Sequence, residues 1–226
     1  NHFLPAIDSI NNIKKFYYTE LAECEIIRKH IVHSNYNNYK FCDDGDADKT
    51  KLRNIINTNV ENKIIIISLR VSDYFKPEWK VLKNSNPNNL EKKLFIKQKY
   101  LEFFKLFPQS KIVLIAAIPE SKVMTEKCIF NEYLVRNLNK ELFDKCHFDK
   151  KKDMKRSLEV ELFLKEIQKE SKNLYIYKPY NVLCPENVCH NYDNKNDFFL
   201  LHDKDHLSIE ASKFLSENLS SFIEKL

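Results

Sequence analysis

Two uninterrupted apolar runs do most to limit what this chain can fold into. "NKIIIISL" (62–69) and "KIVLIAAIP" (111–119) are apolar through their centres, with no alternation of polar residues. A strand with one wet face alternates, so a continuous β-branched run predicts a strand covered on both faces. That is the state of strands in a parallel sheet whose crossovers carry helices. Pro119 is expected to stop the second run. Between the two, "LEKKLFIKQKYLEFFKLF" (90–107) is amphipathic, with Leu94, Tyr100, Leu101, Phe104 and Phe107 among its apolar positions. A helical region over about 153–171 leads to a third strand, "NLYIYKP" (173–179). The chain closes on "SIEASKFLSENLSSFIEKL", where Ser208 is placed to cap a helix that buries Phe214, Leu215, Leu219, Phe222 and Ile223.

The first sixty residues continue the pattern. Phe3, Leu4, Ile7, Ile10 and Ile13 fall at helical spacing, 16–24 reads as a short strand, and "DKTKLRNIINTNV" follows a polar loop as a helix. Helices alternating with buried strands predict a three-layer α/β/α domain with a central parallel sheet. No linker or internal repeat divides it, so residues 1–226 are expected to form a single domain. In such sheets the ligand crevice lies beyond the carboxyl ends of the strands. Those ends are "SLRVSDYF", "AAIPES" and the loops leading to His206.

Composition removes several functions. Gly45 is the only glycine, where average usage gives roughly 16, so neither a P-loop nor a dinucleotide fingerprint can be written. The charge balance, 37 basic against 32 acidic residues, gives +5 with the lysines spread among acids. The basic stretch "FDKKKDMKR" (148–156) has no aromatic or Gly-rich recognition motif beside it. It reads as a solvated helix start and not as a nucleic-acid surface. The longest apolar run is far too short to span a bilayer, and "NHFLPAIDSINNIKK" lacks the basic start and apolar block of a secretory signal.

The six cysteines, Cys24, Cys42, Cys128, Cys146, Cys184 and Cys189, fall as three local couples, one of many pairings six thiols allow. An even count suits an oxidising compartment. Closing a loop the length of 24–42 or 128–146 would stabilise by roughly 3 kcal/mol on the chain-entropy model. Zinc is the competing reading, with Cys184, Cys189, His190, His202 and His206 as its ligand pool. C-x4-C followed by irregular histidine spacing fits no standard structural-zinc pattern. Disulfides are favoured, buried thiols remain a third alternative, and no metal is expected.

The chemistry concentrates in "HDKDHLSIEASKFL" (202–215). A catalytic histidine needs a carboxylate on one ring nitrogen to fix its tautomer and stabilise the imidazolium, and an Asp three residues earlier on a turn can reach it. Asp203 and His206 have that spacing. The bland alternative is an acidic turn before a helix. His202 also neighbours Asp203, but the spacing and the following Leu-Ser favour His206.

Taken with the α/β/α pattern, "DKDHLS" (203–208) ahead of a terminal helix resembles the last block of SGNH hydrolases, the GDSL-type esterases. More narrowly, the chain resembles the SGNH domains fused to, or partnered with, integral-membrane acyltransferases that O-acetylate bacterial surface glycans. Cys184-x4-Cys189 upstream of the block, the strand ending "IIIISLRVSDYF" (64–75) and Pro119-Glu120 after the next strand match that group too.

The resemblance implies an extracytoplasmic domain, tethered to the membrane by an upstream region and forming the C-terminal part of a longer protein. It implies a Ser-His-Asp enzyme with His206 as general base and Asp203 as its orienter. The acetyl or other short acyl group would come from acetyl-CoA through a membrane acyltransferase partner and pass to a glycan hydroxyl, with no cofactor bound. In the family the nucleophile sits in a G-D-S-H block after the first strand, and the helix behind it often begins like "NHFLPAID". No such block occurs in these residues. Asp8-Ser9 falls inside the expected first helix, so the nucleophile is expected upstream of Asn1. His2 would follow it closely, as a solvent-exposed first-turn residue. Arg70 stands where the acyltransferase-linked domains frequently have Arg followed by Trp, here Val71. It is a candidate for the oxyanion or the glycan, and equally for a salt bridge at a strand end. A carbohydrate acetylesterase, a module without a nucleophile that binds a glycan or a partner protein, and a zinc deacetylase are the rival readings.

Overall fold

The apolar runs do become the strands of a parallel sheet. The computed structural model describes residues 31–33, 64–68, 74–75, 79–81, 88–121, 125, 147–186, 188–193, 195–196 and 198–226. In chain order the elements are β1 (Ile31–His33), β2 (Ile64–Ser68), β3 (Trp79–Val81), α1 (Asn89–Phe104), β4 (Lys111–Ile115), β5 (His147–Asp149) and α2 (Lys150–Gln168). They continue with β6 (Leu174–Tyr177), α3 (Pro179–Leu183), β7 (Val188–His190), β8 (Tyr192–Asp193), β9 (Phe198–Phe199) and α4 (Ile209–Glu224). The expected helix over 3–13, strand over 16–24 and helix following the loop at 33–50 lie outside the described residues.

Strands β2, β4 and β6 are neighbours in that order. β2 and β4 are parallel, with Ile64 opposite Lys111 and Ser68 opposite Ile115. β4 and β6 advance together as well: Ile112 N donates to Asn173 O at 2.8 Å, and Ala116 N to Tyr177 O at 2.8 Å. The fold is α/β, a parallel three-stranded sheet flanked by helices. β4, the middle strand, is buried from Ile112 to Ile115, as its unbroken apolar run requires. β2 is fully buried only at Ile67. Pro119 is not the stop it was expected to be. β4 ends at Ile115, and the amide of Ser121 turns instead to Lys204 O at 2.6 Å.

The described residues cluster into two compact units, one drawn from 14–115 and 160–176 and the other from 116–159 and 177–226. In the first, Asn88 and Glu91 form a reciprocal capping box that starts α1, each side chain accepting from the other's amide at 3.0 Å. The buried stripe of α1 is Ile96, Tyr100, Phe103 and Phe104, continued by Phe107 just beyond it. Leu94, expected on that stripe, is exposed because two residues place it roughly 200° round the helix from Ile96. Phe163 of α2 meets Tyr100 edge-on at 6.2 Å and Phe75 at 5.1 Å. Asn173 pins the start of β4: its Nδ2 donates to Ser110 O at 2.6 Å and Phe107 O at 3.3 Å.

The second unit is held by α4. Ser208 caps it as expected, its Oγ accepting from Ala211 N at 2.9 Å. Ala211, Leu215 and Leu219 form its buried row. Tyr177 packs on Phe222 and donates its hydroxyl to Asn218 Oδ1 at 3.0 Å, and burial raises its phenol well above the usual range. Phe214, expected in the core, is 40% exposed; it lies about 100° off the row and covers Phe198 at 5.6 Å instead. The antiparallel pairs β5–β7 and β8–β9 complete the unit. No helix among the described residues is long and apolar enough to cross a membrane.

Candidate active site

The loop between β9 and α4 is closed at its neck by a backbone bridge between Leu201 and Leu207, and His202 N donates to His206 O at 2.7 Å. Inside that closure the Asp203 carboxylate folds back on its own chain. Oδ1 accepts from Asp205 N at 2.9 Å and from His206 N at 2.8 Å, an Asx turn that short acidic side chains form readily. The turn fixes the carboxylate so that Oδ2 lies 2.6 Å from His206 Nδ1. Asp205, from the same turn, brings Oδ1 to 2.9 Å of the same nitrogen. The spacing read from sequence thus gives a real Asp203–His206 hydrogen bond. The second carboxylate was legible only as the other acid in D-x-D-H.

Partial burial alone would push the Asp203 carboxyl up. The amides of Asp205 and His206, then the His206 ring, overcome it and hold the group at about 2, against an ordinary 3.8. Asp203 therefore stays ionised throughout the neutral range. The imidazole is about half exposed, so a substrate approaching from solvent can reach it. With Nδ1 turned to two carboxylates, the base would be Nε2, the division of labour a nucleophile-activating histidine needs.

Buried polar residues that sequence reasoning passed over hold this loop in place. Thr125, 3% exposed, directs its hydroxyl at Leu201 O (2.8 Å) and Asp203 O (3.0 Å). Asn191, 1% exposed, donates from Nδ2 to Thr125 Oγ1 at 3.1 Å and accepts from Leu201 N at 3.0 Å. The loop after β4 joins them through Ser121, and Arg156 braces that loop by donating to Ile118 O at 2.7 Å and pairing with Glu120 at 2.8 Å. Glu120, noted in Pro119-Glu120, thus acts on the segment that touches the histidine loop.

Cys184 and Cys189 form a disulfide with Cα atoms 5.0 Å apart, which removes both thiolates from the zinc ligand pool considered above. Of that pool's histidines, His190 lies exposed on β7 and His202 contributes its backbone amide to the turn. Asp203, Asp205 and His206 offer donor atoms within 4.8 Å of one another, a spacing a cation could use, but the hydrogen bond from Asp203 and the close approach of Asp205 to Nδ1 already explain it. Arg70, His2, Asp8 and Ser9 lie outside the described residues. So do Cys24, Cys42, Cys128 and Cys146, and with them the pairings Cys24–Cys42 and Cys128–Cys146.

The fold is similar to that of the lipopolysaccharide acetyltransferase periplasmic domain of Salmonella ser. Paratyphi A, with a TM-score of 0.51 and 19% identity over 78% of this chain. The chain spans 62% of the length of that domain. A protein described as a platelet activating factor from Streptococcus pneumonia aligns over 77% of this chain and 90% of its own, at 12% identity and a TM-score of 0.38. No curated protein matches the chain. Residues 1–220 match the family model for the SGNH domain fused to AT3 domains, and the chain belongs to that family.

Proposed function

We propose that this chain is the acyl-handling domain of a membrane O-acyltransferase, moving an acetyl or other short acyl group to a sugar hydroxyl of a cell-surface polysaccharide. The observation that carries the proposal is the fixed Asp203–His206 pair, 2.6 Å apart, on a loop braced by buried hydrogen bonds. In this reading a serine carried by sequence preceding Asn1 attacks the acyl carbonyl while His206 Nε2 takes its proton. The imidazolium returns that proton to the leaving group, and Asp203 stabilises the cation in between. A glycan hydroxyl, deprotonated by the same nitrogen, then attacks the acyl-enzyme, takes the acyl group and frees the serine. Arg70, at the end of the β2 run, is assigned to the oxyanion or the acceptor sugar.

Membership of a family named for its fusion to AT3 domains supports a membrane acyltransferase partner as the source of the acyl group, drawn from acetyl-CoA. The Cys184–Cys189 disulfide supports an extracytoplasmic position, tethered through an upstream region of a longer protein in which residues 1–226 act as one domain.

The test is ester turnover and serine labelling on the protein with its upstream sequence. A fluorophosphonate is expected to add once, on a serine before Asn1, and His206→Ala to lower turnover by about 10³-fold or more with an unchanged thermal melt. Wild-type turnover in that variant would reject the assignment. Absence of any adduct would favour a glycan-binding module, and release of acyl groups only to water would favour an acetylesterase.

A further inference from the structure

His206 Nδ1 lies within reach of two carboxylates, Asp203 Oδ2 at 2.6 Å and Asp205 Oδ1 at 2.9 Å. Their situations differ. Asp203 is tied by Oδ1 to two backbone amides, so it builds the turn as well as orienting the ring. Asp205 stands on the turn that Asp203 builds and reaches Nδ1 from the adjacent position in the chain. We infer that Asp205 is a positioning residue, a second acceptor that holds the His206 imidazole in its Nδ1–H tautomer alongside Asp203. This inference rests on His206 being the base proposed above, but its geometry does not depend on the acyl chemistry.

The consequence is redundancy at one atom. Nδ1 carries a proton in the imidazolium and in the Nδ1–H tautomer of the neutral ring, so either carboxylate suffices to favour that tautomer and leave the neutral ring's lone pair on Nε2. Asp203→Asn separates the two duties of Asp203. The amide oxygen can still accept from the amides of Asp205 and His206 and keep the turn, while the NH2 can no longer accept from Nδ1. In an isolated carboxylate–histidine pair that exchange favours the wrong tautomer. Here Asp205 opposes it.

The experiment is ¹⁵N NMR of the His206 ring in the full chain, with the imidazole neutral, for wild type, Asp203→Asn, Asp205→Asn and the double variant. Both single variants are expected to keep Nδ1 protonated. The double variant is expected to drift to the mixture an unbiased imidazole gives. A mere loosening of the loop would not move the tautomer in that stepwise way. Where ester turnover is measured, the double variant is expected to fall at least about tenfold below Asp203→Asn. If Asp203→Asn alone shifts the ring as far as the double variant, or if Asp205→Asn changes nothing in the Asp203→Asn background, the inference is overturned. A protein with no acyl chemistry but with the stepwise tautomer pattern would reject the proposed function and leave this inference standing.

Discussion

Asp203 has both carboxylate oxygens committed, Oδ1 to two amides and Oδ2 to the imidazole, and its titration follows from that. Its folded value, about 2, lies below the ordinary 3.8 expected of the unfolded chain. Between those values the unfolded state binds the proton that the folded state refuses, so stability falls with falling pH. The contribution is fully present above about pH 4 and is lost as the pH passes through about 2. Asp203→Asn has no such proton to bind. The gap in urea midpoint between wild type and Asp203→Asn is therefore expected to narrow from pH 5 to pH 2, with the other carboxylates cancelling in the difference. A gap that stays constant would show that the carboxylate is not held as these hydrogen bonds require. The local Asp203–His206 pair could be read from sequence because its partners are three residues apart on one turn.

At the scale of elements, the neck of the histidine loop depends on two buried side chains outside it, Asn191 ten residues before Leu201 and Thr125 76 residues before it. Asn191→Ala leaves Leu201 N and Thr125 Oγ1 without their buried partner, at a cost of about 1–3 kcal/mol measured by urea unfolding. A change within a few tenths would mean that solvent replaces Asn191. The disulfide is the second brace. Cys184 and Cys189 are both buried and close a loop of sequence separation 5, so replacing both by Ala is expected to cost about 2 kcal/mol on the chain-entropy model. The same contrast explains what sequence could and could not reveal. β2, β4 and β6 announce themselves as unbroken β-branched or aromatic runs, and Ser208 as a cap before an amphipathic stretch. β5 and β7 through β9 are two or three residues long, too short to carry a period. Thr125 and Asn191 are single polar residues whose partners lie as far as 78 positions away, and no local pattern marks them. Leu94 and Phe214 look apolar enough for the core, but only the helix phase decides which side they face.

For the whole molecule, the proposed function raises the question of where its acyl group comes from. A coenzyme A thioester brings a diphosphate and a further phosphate that must be received somewhere. With Gly45 as the only glycine, the chain cannot build a Gly-rich backbone cradle for those phosphates, and on the proposed function a membrane acyltransferase partner receives them instead. The expected division is that this domain, with the proposed upstream serine included, turns over small activated esters through His206 but does not consume acetyl-CoA by itself. Acetyl-CoA-dependent transfer to a glycan is expected only when membranes bearing the AT3 partner are added, and His206→Ala should abolish that transfer while the membrane domain remains able to take the acetyl group. The measurement is coenzyme A release and acetylated glycan, followed in parallel with and without membranes. Coenzyme A released by the domain alone would place donor recognition within these residues and remove the need for a delivered acyl group.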